Sequence, residues 1–98
     1  METLTTSEIK TYAEQVGRLF NLAKISLFGS YAKGVQTPES DIDLLVDFGK
    51  DVSIYTLAKV KLKMEEMSGK EVDVIATPIP EDSLLEIDKE VLLYDKQG

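Results

Sequence analysis

The chain has 98 residues, enough for a single core, and is expected to form one domain over residues 1–98 with no room for a second lobe. With 18 acids against 11 bases the net charge is -7, which opposes a broad electrostatic grip on DNA or RNA and makes direct nucleic-acid binding an unexpected function. Cysteine and histidine are both absent, so disulfides, thiolate or imidazole metal ligands and a Ser-His-Asp triad are excluded, and any catalysis has to rest on carboxylates and metals.

Residues 5–22 read as an amphipathic helix, with Ile9, Tyr12, Ala13, Val16, Leu19 and Phe20 at three- and four-residue steps and a capping-box pair, Thr5 and Glu8, at its start. Residues 24–28 alternate as a strand that runs into Gly29, and Tyr31 to Gly34 has length for about one helical turn. Asp41 to Phe48 is a second strand, apolar after its acids. A long helix is expected from about Ser53 to Ser68, with Leu57, Val60, Met64 and Met67 on one stripe and Gly69 as its stop. Lys59, Lys61 and Lys63 are assigned to its solvated face, beside Glu65 and Glu66.

Glu71 to Thr77 alternates as a third strand, ended by Pro78 and Pro80. Ser83 and Glu86 make a capping box for a short helix over 84–89, and Glu90 to Tyr94 closes as a fourth strand. The longest apolar run, Val91 to Tyr94, is far too short for a membrane span or a signal-peptide core, so a soluble, cytoplasmic protein is expected. The pattern predicts an α/β (α+β) domain, a mixed sheet of about four strands with helices packed on one face.

The chemistry concentrates in Gly29-Ser30, ten intervening residues, and Asp41-Ile42-Asp43. Residues two apart on a strand share a face, so Asp41 and Asp43 are expected side by side while Ile42, Leu44 and Val46 face the helices. Two such carboxylates repel unless a cation lies between them, and Mg²⁺ suits one or two carboxylates plus substrate phosphate oxygens. Asp73 interrupts an otherwise apolar strand; if that strand lies beside the second, the three acids can hold two ions roughly 3.5 to 4 Å apart, the clamp of in-line nucleotidyl displacement. Gly29 permits close backbone approach, Ser30 offers an amide and a hydroxyl to phosphate oxygens, and Lys33 stands near enough in sequence to add a cation. Alone, a Gly-Ser is an ordinary turn and an Asp-x-Asp an ordinary solvated strand end; their order and shared face carry the reading.

In these residues, and in the surrounding Leu-Phe-Gly-Ser-Tyr-Ala and Ser-Asp-Ile-Asp-Leu-Leu-Val, the chain resembles the minimal nucleotidyltransferase (MNT) family of the DNA polymerase β-like nucleotidyltransferase superfamily. The resemblance runs from the first helix to the closing strand. It implies the palm-like nucleotidyltransferase fold, metal binding by Asp41 and Asp43, completion of the metal site by Asp73, which also helps activate the attacking hydroxyl, and nucleotide phosphates held by Gly29 and Ser30. Lys33 departs from the Arg usual in relatives, a point charge in place of a bidentate fork. Chains of this size resemble antitoxins of HEPN/MNT toxin-antitoxin pairs. That implies AMP transfer from ATP to a tyrosine of a HEPN-type ribonuclease toxin, with two Mg²⁺ ions as cofactors and the toxin as a hetero-oligomeric partner. Neutralisation by binding alone, and transfer to a small-molecule hydroxyl, remain alternatives.

Overall fold

The computed structural model describes residues 4–51, 53–77 and 89–97. Its first element, helix α1 (Thr6–Leu19), begins where Thr5 and Glu8 place it: the Thr5 hydroxyl accepts the Glu8 amide at 3.1 Å, and the Glu8 carboxylate accepts the Thr5 amide at 3.0 Å. The helix ends at Leu19, short of the predicted 22, because Asn21 turns left-handed at φ 55. The Asn21 amide then reaches the Arg18 carbonyl at 3.3 Å and the Leu22 amide reaches the Gly17 carbonyl at 2.9 Å, the paired bonds of a Schellman stop. This turn drives Leu22 into the core and leaves Leu19 exposed, reversing the role expected of Leu19.

The remaining elements are β1 (Lys24–Phe28), α2 (Gly29–Lys33), β2 (Ile42–Asp47), α3 (Ile54–Ser68), β3 (Val72–Ala76) and β4 (Val91–Asp95). Helix α2 starts at Gly29 rather than Tyr31, directly on the end of β1. Ser53 caps α3 by accepting the Thr56 amide at 3.2 Å, and Gly69 ends it with its amide on the Glu65 carbonyl at 2.8 Å. The expected stop at Pro78 and Pro80, the Ser83–Glu86 box and, but for Lys89, the 84–89 helix lie outside the described residues.

The sheet runs β3-β2-β1-β4, with β1 antiparallel to both neighbours and β2 parallel to β3. A parallel pair needs a crossover, and α3 supplies it. Ile25 and Leu27 of β1, Ile42, Leu44 and Val46 of β2 and Val72 of β3 are fully buried against Ile9, Ala13 and Val16 of α1 and Val60 and Met64 of α3. Leu57 and Met67 flank this core half-buried, so the apolar stripe expected on α3 is the one that packs. The alternate strand positions, among them Phe28, Asp43 and Asp73, fall on the other face. No described helix is long and apolar enough to cross a membrane.

Helix α1 approaches β4 so closely that a Cβ at Gly17 would overlap the Tyr94 ring. Gly17→Ala is expected to cost about 1–3 kcal/mol through overpacking, read as a lowered urea midpoint. An unchanged midpoint would mean that Tyr94 swings aside freely.

Candidate active site

Three strand ends define one row across the sheet: Phe28 of β1 is paired with Asp43 of β2, and Asp43 with Asp73 of β3. Gly29 follows Phe28 at φ +74, a left-handed conformation that opens α2. The turn brings its backbone onto the Asp43 carboxylate so tightly that a Cβ there would collide with Asp43 Oδ2. Glycine is therefore required twice at this position, by dihedral and by space. Tyr31, buried in the core, anchors α2 against the sheet, and Ser30 lies half-buried in its first turn. Lys33 is the last residue of α2 and is exposed.

Asp43 is half-buried and Asp73 exposed, and the two are register partners across β2 and β3. Burial is the first cause that pushes the Asp43 carboxyl up from 3.8 to about 6; the charges of Asp73 and Asp41 push in the same direction. Two carboxylates paired across neighbouring strands repel unless a proton or a cation lies between them, so the pair fits a divalent cation.

Asp41 arrives differently. It lies just ahead of β2, exposed, in a shallow hollow of about 170 Å³ with Pro38, Glu39, Ser40, Gly69, Lys70 and Glu71. Local bonds hold its loop: the Thr37 amide on Ser40 Oγ at 2.9 Å, the Ser40 amide on the Thr37 carbonyl at 3.0 Å, and Lys70 Nζ on the Pro38 carbonyl at 2.8 Å. The structure thus joins Gly29, Asp43 and Asp73 directly, with Asp41 acting on Asp43 through its charge. Among the described residues no three carboxylates converge into a ready-made metal cage.

Lys61 adds to an expectation. Its side chain keeps about 40% exposure on the solvated helix face, and its ammonium donates to Glu65 at 2.9 Å and to the Val72 carbonyl at 2.8 Å, while the Val72 amide donates to the same Glu65 oxygen at 3.1 Å. The bond to Glu65 holds the Lys61 ammonium above its ordinary range, and the bond from Lys61 holds Glu65 below its own. The four-residue spacing of Lys61 and Glu65 is visible in the sequence; their attachment to the strand beside Asp73 is not.

The model of the nucleotidyltransferase domain matches residues 9–94, nearly the whole described fold. The chain belongs to this family. Its nucleotidyltransferase relatives include a Methanocaldococcus jannaschii protein named as a candidate protein adenylyltransferase, 42% identical over 70% of this chain and 74% of the relative. The protein adenylyltransferase MntA of Thermococcus cleftensis is 30% identical over 76% of this chain and 80% of the relative. Two crystal structures share the nucleotidyltransferase fold. A chain of a toxin-antitoxin with AMP-PNP superposes with a TM-score of 0.75 at 23% identity, over 90% of this chain and 74% of that one. A chain of a tri-AMPylated Shewanella oneidensis HEPN toxin in complex with MNT antitoxin gives 0.71 at 18% identity, over 95% and 75%.

Proposed function

We propose that this 98-residue chain acts as one nucleotidyltransferase domain, an antitoxin that moves AMP from ATP to a tyrosine hydroxyl of a HEPN-type toxin with the help of Mg²⁺. The observation that carries the reading is the row of Gly29, Asp43 and Asp73, with Asp41 at its margin. Support for protein as the acceptor comes from the relatives named as adenylyltransferases, and support for ATP and a HEPN partner from the complexes that share the fold. A reaction that consumes ATP fits a cytoplasmic protein.

In this reading Asp41, Asp43 and Asp73 hold the metal ions, which when bound neutralise the triphosphate and lower the pKa of the attacking hydroxyl. The net charge of -7 opposes the approach of a bare triphosphate, which that neutralisation offsets. The amides of Gly29 and Ser30, with the Ser30 hydroxyl, bind phosphate oxygens, and Lys33 adds a nearby positive charge. The tyrosine oxygen forms a bond to the α-phosphorus as the bond to the β-phosphate oxygen breaks. Pyrophosphate leaves with that electron pair, and Asp73 takes the phenolic proton on its way to solvent. The toxin supplies the acceptor tyrosine.

Incubation with Mg-ATP and the HEPN-type partner is expected to add AMP to the partner, read as an increment in its intact mass. Omission of Mg²⁺, or Asp43→Ala, is expected to abolish the increment. A partner left unmodified by the wild type but fully neutralised by both proteins would replace this reading with inhibition by binding.

A further inference from the structure

We propose that Lys61 and Glu65 form a positioning clamp that sets the direction of Asp73 by holding both backbone groups of Val72 at the edge of the sheet. Strand β3 is an edge strand whose partner is β2, and the Ile42 amide takes the Glu71 carbonyl at 3.0 Å. Along a strand the backbone groups alternate in direction, so those of Val72 face away from β2. There the Lys61 ammonium meets the Val72 carbonyl at 2.8 Å and the Glu65 carboxylate accepts the Val72 amide at 3.1 Å. The 2.9 Å bond between Lys61 and Glu65 closes the ring.

The consequence for Asp73 is geometric. The Val72 carbonyl belongs to the peptide plane that ends on the Asp73 nitrogen, and planar peptides leave only two soft dihedrals per residue. Fixing that plane fixes the Asp73 Cα and leaves φ of Asp73 as the single backbone rotation that aims its Cβ, which narrows how its carboxylate can approach Asp43. Displacement of a reacting group by about 1 Å can cost about a hundredfold in rate. Lys61 also lies within the electrostatic field of Asp73, so its ammonium opposes the build-up of negative charge at that corner. An ordinary i,i+4 pair on a solvated face touches no backbone; this one spends both partners on a single residue next to an acid of the site.

The role rests on the reading of Asp73 as a metal-holding residue, and its test has a readout separate from transfer. Mn²⁺ affinity in the presence of AMP-PNP, read by electron paramagnetic resonance, is expected to fall about tenfold in Lys61→Met, the scale on which residues that orient metal ligands act. Lys61→Arg, which keeps the donor, is expected to stay within about twofold of the wild type. In an Asp73→Asn background, Lys61→Met is expected to add no further loss, because the group it orients is gone. Should Lys61→Met fail to fold by circular dichroism, Glu65→Gln, which keeps an acceptor for the Val72 amide but drops the charge that holds Lys61, is expected to show a smaller loss of the same kind. Wild-type Mn²⁺ affinity in a folded Lys61→Met, or in Glu65→Gln where that variant is the one read, or an equal loss with and without Asp73, would overturn the clamp. If Mn²⁺ binding follows the expected pattern while the wild type transfers no AMP, the clamp stands and the transfer reading falls.

Discussion

Asp43→Asn is expected to reduce AMP transfer on the order of 10³-fold and, in metal-free buffer, to make the protein more stable at neutral pH. The loss follows from the position of Asp43, between Gly29 and Asp73 and within the field of Asp41. The gain follows from linkage. The folded state raises the Asp43 pKa from 3.8 to about 6, so the folded protein binds this proton more tightly than the unfolded chain does. The contribution to stability is favourable below about pH 4 and is lost as pH rises to about 6; above that, an ionised Asp43 beside Asp73 weighs against the fold. A shift of this size has a ceiling of about 3 kcal/mol, reduced to about 1–2 kcal/mol because Asp43 is partly open to solvent.

Urea unfolding in EDTA from pH 4 to 8 checks the sign. The advantage of the Asp43→Asn variant over the wild type should be small at pH 4, grow through pH 6 and then level off. Mg-ATP should invert the order at pH 7.5, since a ligand that prefers the wild type stabilises only the wild type. A variant less stable than wild type at pH 7.5 in EDTA would mean that Asp43 is not strained by its neighbours.

Gly29→Ala is expected to combine a stability loss of about 1–2 kcal/mol with about a hundredfold loss of transfer. Two separate effects meet at this glycine, and a second glycine isolates them. Gly29 and Gly34 have nearly the same φ, +74 and +73, but a Cβ at Gly34 meets nothing within 4 Å whereas one at Gly29 strikes Asp43. Gly34→Ala should therefore show the conformational cost without the displaced acid, with activity close to wild type at a temperature where both variants are folded. Equal loss of activity in the two variants would show that the left-handed turn, rather than the close approach to Asp43, is what transfer needs.

The elements and the acids were legible in the amino-acid order alone. Period and caps located α1 and α3, alternation located the strands, and a Gly-Ser placed ahead of Asp-x-Asp and a later Asp marked the candidate residues that the proposal uses. Period, caps and alternation are local, made by residues a few positions apart, and the motif from Gly29 to Asp73 is read from the order of its residues, so none of these needs the fold. The end of α1 was harder to read, because the left-handed Asn21 turn matches the helical period up to the residue that breaks it.

Which strands are neighbours, and with that which acids meet, was settled by three-dimensional packing. Placing β2 between β1 and β3 set Gly29 and Asp73 on either side of Asp43, and burial first, with the charge of Asp73 second, raised a pKa that no spacing along the chain predicts. Packing also brought the partly exposed Lys61 ammonium onto the backbone of Val72, eleven residues away. Helical spacing shows which side chains share a face; what that face touches depends on how the crossover helix settles on the sheet, a property of long-range contacts.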